Sequence, residues 1–141
     1  VPWPSRLAPA FLTLLAGCAA DPTTAGPLLT GSAERSCGPT DGPAVAMDLL
    51  TGTGESLKLY LYHGRDALAG RRVFVTPGWT EGGATLCPAA GRGPCQPATG
   101  GVIRVDRAGA VITGALSLGF PGTAIEGPFR ATWREVAILC G

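Results

Sequence analysis

From Cys37 onward, apolar residues return at every second position in short runs, the repeat of a strand with one buried face and not of an amphipathic helix. Leu57, Leu59 and Leu61 alternate with Lys58, Tyr60 and Tyr62, and Val73 and Val75 share one face of the run 71–76. Ile103 and Val105 do the same in 101–106, ahead of the turn Asp106-Arg107-Ala108-Gly109. Ile112, Gly114, Leu116, Leu118 and Phe120 then line one side of a returning run. After Pro121-Gly122-Thr123, Ile125, Gly127, Phe129, Ala131 and Trp133 lie opposite Arg130, Thr132 and Arg134. That alternation reads as a strand over 125–139; a terminal helix over 129–139 is the alternative.

With the apolar run 44–50 and its turn-rich connection Thr51-Gly52-Thr53-Gly54 to the run 55–63, the count reaches about six strands, the last three in a β-meander. No amphipathic helix of ordinary length interrupts them. An antiparallel sheet of that size has to bury one face against itself, so the expected fold is all-β, a small antiparallel barrel or a two-sheet sandwich. Glycines inside the strand patterns, at 114, 119 and 127, favour the barrel, because they mark bends and bulges.

Upstream the pattern changes. Arg6 precedes an apolar segment, Leu7 to Ala16, that is much shorter than the roughly 20 residues a spanning helix requires, and this is the form of a signal-peptide core. It closes on Leu15-Ala16-Gly17-Cys18, which resembles the lipobox of bacterial lipoproteins. The resemblance implies cleavage before Cys18, diacylglycerol on its thiol, and a cell-envelope location with the membrane as partner through the lipid anchor. In diderm lipoproteins an Asp after the cysteine retains the protein in the inner membrane. Here Ala19 and Ala20 follow, which implies the outer membrane, facing the periplasm or the cell surface. The expected organisation is thus a signal peptide over 1–17, a flexible tether over 18–36, and a single all-β domain over 37–141. Such a tether holds a domain roughly 20–25 Å from the bilayer; Leu28 and Leu29 are its exception, suited to dock as a first short strand.

Charge and cysteines narrow the picture. The chain has 11 basic and 10 acidic residues, and since Arg6 leaves with the leader, the mature chain is neutral. With no basic run it offers no footprint for nucleic acid or for anionic headgroups, which leaves the acyl chains to hold it at the membrane. Cys37, Cys87, Cys95 and Cys140 form an even set in a chain addressed to an oxidising compartment, so two disulfides are expected. Of the three connectivities, a local staple Cys87–Cys95 with a clasp Cys37–Cys140 is favoured. A zinc site is disfavoured, because the cysteine spacings are wrong and His63 is the one histidine; no metal and no cofactor are expected.

Catalytic motifs are sparse. His63 before Gly64-Arg65-Asp66 permits a His–Asp dyad with Ser56 or Ser117 as nucleophile, but no nucleophile elbow or zincin motif accompanies it. The Gly-rich stretches 51–54 and 91–94 precede no helix that would hold a phosphate. A better candidate is the Gly/Pro-rich stretch Pro77 to Gly100, a loop of a length that is usually functional. It carries Trp79 and Arg92 beside the strand presenting Tyr60 and Tyr62, a plausible platform for a glycan or a protein; the plainer reading has Trp79 plugging one end of the barrel.

From Gly101 the pattern G-x-I-x-V, I-x-G-x-L-x-L-x-F and G-x-F-x-A-x-W resembles the C-terminal sheets of small uncharacterised envelope lipoproteins, a resemblance that implies no activity. In size, anchor and β content the chain is also similar to the lipoprotein inhibitors of lysozyme. The expectation is a lipid-anchored envelope protein that binds or supports and does not catalyse. An envelope inhibitor or glycan- or protein-binding module using the Trp79 loop is the alternative, and a small hydrolase comes last.

Overall fold

The computed structural model describes residues 21–22 and 25–141; the leader and Cys18 lie outside the described residues. The described residues form nine strands: β1 (Leu29–Cys37), β2 (Pro43–Leu50), β3 (Ser56–Leu61), β4 (Arg72–Val75), β5 (Gly82–Cys87), β6 (Gln96–Pro97), β7 (Gly100–Ala108), β8 (Val111–Phe120) and β9 (Thr123–Arg134). They make one curled sheet, a half-barrel, in the order β4-β7-β8-β9-β1-β2-β3-β5-β6. The sheet is mixed: β1 runs parallel to β9, and the other neighbours are antiparallel.

The all-β class and the meander β7-β8-β9 follow the two-residue alternation. Leu57, Leu59 and Leu61 point inward with Ile103, Val105, Ile112, Leu116 and Phe129, all fully buried, each contributing about 1.5–3 kcal/mol of transfer free energy. Gly114 pairs with Val105 at the irregularity of the β7–β8 ladder, as a glycine marking a bulge would, and a Cβ there would collide with the Arg104 carbonyl oxygen of β7 and lie 2.9 Å from the Phe129 ring. The register shift falls between Val105 and Arg107 of β7, opposite Gly114 and Thr113.

Several expectations need correction. The described residues hold nine strands and not six, in one curled sheet and not a two-sheet sandwich. The tether read over 18–36 stops short, because Leu29–Cys37 is an interior strand bonded to both β2 and β9, and the folded domain begins well before residue 37. Residues ahead of β1 also touch the sheet: Asp21 pairs with Arg72, and the Pro22 carbonyl accepts from Arg104 Nη1 at 3.0 Å. The stretch 77–100 is not one long loop, since it contains β5 and β6. The last strand ends at Arg134, and 135–141 forms neither strand nor helix.

The two ends of the sheet approach one another. The Phe74 N–H of β4 donates to Glu81 Oε2 at 3.1 Å, just ahead of β5. Further along, Ala98 N–H donates to the Ala84 carbonyl and Thr99 N–H to that of Gly119, so the chain passes from β5 to β8 as it enters β7. Cys37 and Cys140 are joined with Cα atoms 5.6 Å apart, and Cys87 and Cys95 with Cα atoms 4.1 Å apart. In the chain-entropy view the clasp, spanning 103 residues, contributes about 4–5 kcal/mol and the staple about 2–3.

Candidate functional site

The turn between β4 and β5 builds the site. Pro77 and Gly78 occupy its corner, and Trp79 N–H closes it on the Thr76 carbonyl at 3.0 Å. Trp79 itself sits at φ +50°, a left-handed conformation that an ordinary side chain adopts at a cost. That conformation turns the indole back over the outer face of β5, where Gly83 leaves room for it. A Cβ at Gly83 would collide with the indole Cδ2 and Cε3 atoms. Gly83 is the register partner of Tyr60 on β3, so the indole meets the phenol ring: the centroids are 5.9 Å apart and the planes 25° from parallel. Both rings remain half exposed. Trp79 is therefore an outer-face residue and does not plug the end of the barrel.

Register extends this platform across the sheet. The rung through Tyr60 continues to Ala46 on β2, Glu34 on β1 and Arg134 beside it on β9. Ala46 is the small residue of that row, and its short side chain leaves a depression of about 210 Å3 bordered by Glu34, Asp48, Lys58, Tyr60 and Arg134. Its charges are paired at the surface, Lys58 with Asp48 at 3.5 Å and Arg134 with Glu34 at 3.4 Å. Exposed pairs of this kind hold each other weakly, so they can exchange partners for a ligand's hydroxyls. The arrangement is an aromatic shelf beside a shallow polar hollow, with donors and acceptors on three sides.

The other candidates fall elsewhere. Tyr62 lies just past the end of β3, its N–H donating to the Glu81 carbonyl. Arg92 is exposed in the loop stapled by Cys87–Cys95, beyond the far end of β5 from Gly83, so the structure does not bring it to the platform. His63 faces Arg71 and Glu81; burial, then Arg71, lower its pKa below the ordinary histidine value, against an upward pull from Glu81. The nominated serines are engaged on other strands, Ser56 with Asp48 and Ser117 with Glu126 at 3.0 Å. Among the described residues no cluster of His, Cys, Asp or Glu could hold a metal ion.

A larger opening, about 540 Å3, lies near the Cys37–Cys140 clasp, lined by Arg35, Asp41, Arg65, Trp133 and Ile138 among others. Its aromatic is already occupied. The Arg65 guanidinium stands 4.4 Å over the Trp133 ring, the Trp133 indole N–H donates to Glu135 at 2.9 Å, and Glu135 lies 3.7 Å from Arg65. Sequence reasoning missed the Ala46 hollow and its ion pairs, whose only signal was the pairing of β1, β2 and β3.

No protein-family model, no curated protein and no solved structure matches the chain.

Proposed function

We propose that this chain is a lipid-anchored envelope protein whose β domain binds a glycan without catalysis, at the shelf of Trp79 and Tyr60 and the hollow over Ala46. The observation that carries the reading is the placement of Trp79. A tryptophan held at φ +50°, seated on a glycine and parallel to a half-exposed tyrosine, adds little to the core, and its conformation is paid for by what it presents to solvent. Pyranose rings stack on such planes through their C–H faces, while Asp48, Lys58, Glu34 and Arg134 offer acceptors and donors to the ring hydroxyls. The lipobox at Leu15-Ala16-Gly17-Cys18 supports the anchor and, with Ala19 and Ala20, the outer membrane of a diderm host. His63, facing Arg71 and Glu81 and neither candidate serine, gives a hydrolase reading no support.

The anchor is tested by expression from the native leader. The protein should fractionate with membranes and incorporate labelled palmitate, and Cys18→Ser should abolish the label; soluble, unlabelled protein would refute the anchor. The binding half is tested separately, by titrating soluble oligosaccharides against the Trp79 indole N–H, whose NMR resonance should shift saturably; a resonance unmoved by any of them would refute glycan binding at the shelf.

A further inference from the structure

The way the chain ahead of β1 lies on the sheet bears on how an anchored domain would sit. Asp21 pairs with Arg72 on β4 and the Pro22 carbonyl accepts from Arg104 on β7, neighbours in register across the β4–β7 ladder. Pro22 is buried there. Only two residues, Ala19 and Ala20, separate Cys18 from Asp21, a reach of about 10 Å when fully extended. Acyl chains on Cys18 would therefore enter the bilayer beside Arg72 and Arg104, too close for a domain standing well clear of the surface.

The outer face at that point has the composition of a bilayer contact. Phe74, two residues along β4 from Arg72, is 50% exposed, and its register partner Val102 lies half-buried next to it. Arg71, Arg72 and Arg107 are exposed along this face, with Arg104 partly so, against the carboxylates of Asp21 and Asp106, of Glu81, which accepts the Phe74 N–H, and of Glu126, which accepts from Ser117 opposite Val102. An exposed aromatic ring among paired guanidinium and carboxylate groups suits the headgroup boundary of a phospholipid membrane.

We propose that the outer face of β4 and β7, centred on Phe74, rests on the phospholipid bilayer when the domain is anchored through Cys18. The proposal rests on the lipid-anchor reading, so its test supplies the anchor chemically. The chain from Cys18 onward would be coupled through that thiol, the one cysteine outside the two disulfides, to a maleimide lipid in nanodiscs containing phosphatidylglycerol and a headgroup nitroxide lipid. A trifluoromethyl-phenylalanine replaces either Phe74 or, as reference, Leu50, which is 57% exposed on β2. The nitroxide should broaden the fluorine resonance at position 74 several-fold more than that at position 50, and Arg72→Glu, which breaks the pairing with Asp21, should reduce the difference. Equal broadening at both positions, stronger broadening at 50, or indifference to Arg72→Glu would overturn the proposal. Because the coupling is synthetic, any of these leaves the palmitate experiment to judge the anchor itself.

Discussion

The carboxylate of Glu81 accepts the backbone N–H of Phe74 at 3.1 Å, bridging the two ends of the curled sheet where strand-to-strand pairing runs out. Edge strands with unpaired donors invite association with other chains, and here a side chain occupies one such donor. Glu81→Ala should hasten hydrogen exchange at the Phe74 amide and lower stability by about 1 kcal/mol, with the rest of the β4–β7 ladder protected as before. Exchange at Phe74 identical to that of the parent chain would show that the carboxylate does not hold the seam.

Gly83 offers a way to remove the platform without deleting its aromatic rings. Gly83→Ala places a methyl where the indole lies, so Trp79 must lift from Tyr60 while β5 keeps its register. Trp79 fluorescence should shift toward that of a solvated indole, and the change in unfolding free energy should stay within about 1 kcal/mol, as for an exposed site. Loss of several kcal/mol, of the size seen when a core aromatic is truncated, would mean that Trp79 is part of the packing and not a surface element.

How much of this was legible in the sequence depended on where each strand's burial comes from. The meander was readable because Ile112, Leu116, Leu118 and Phe120 on β8, and Phe129 on β9, repeat an apolar side chain every second residue between clear turns. β1 was not: only Leu29 and Ala33 are buried along Leu29–Cys37, and its polar remainder looks like linker, since the strand is held by ladders on both sides more than by apolar side chains. β5 was hidden for the opposite reason. Its sequence GGATLC is almost wholly buried, but Gly82 and Gly83 read as loop, and what requires Gly83 to be small is an indole four residues upstream. The candidate site was half legible. Tyr60 and Tyr62 were placed on an outer face by alternation and Trp79 by proximity, whereas the hollow over Ala46 depends on the cross-strand register of three strands. Arg92 looked attached to the platform only while β5 was read as loop.

His63 gives the protein an acid-side weakness. Burial and the nearby Arg71 lower its pKa in the folded state, so between the unfolded and folded values the unfolded chain binds more protons, and stability rises with pH. The contribution of the neutral imidazole is complete above about pH 6.5, the unperturbed value, and is lost as pH falls through the depressed one. His63→Gln should flatten that part of the stability profile without altering binding at the Trp79 shelf. A profile unchanged by the substitution would show that the acid sensitivity arises elsewhere.

The most direct measurement follows the Trp79 indole N–H by NMR while soluble oligosaccharides, N-acetylglucosamine oligomers and neutral glucans in turn, are titrated into the domain carrying residues 19–141. At least one class should shift the Trp79 resonance saturably together with the amides of Ala46 and Tyr60, leaving the Trp133 indole in place. Trp79→Ala should weaken that binding by about 2 kcal/mol or more, as for an aromatic anchor at the centre of a contact. Saccharides that leave Trp79 unmoved, or binding that survives Trp79→Ala at full strength, would contradict the assignment of this shelf as the protein's working surface.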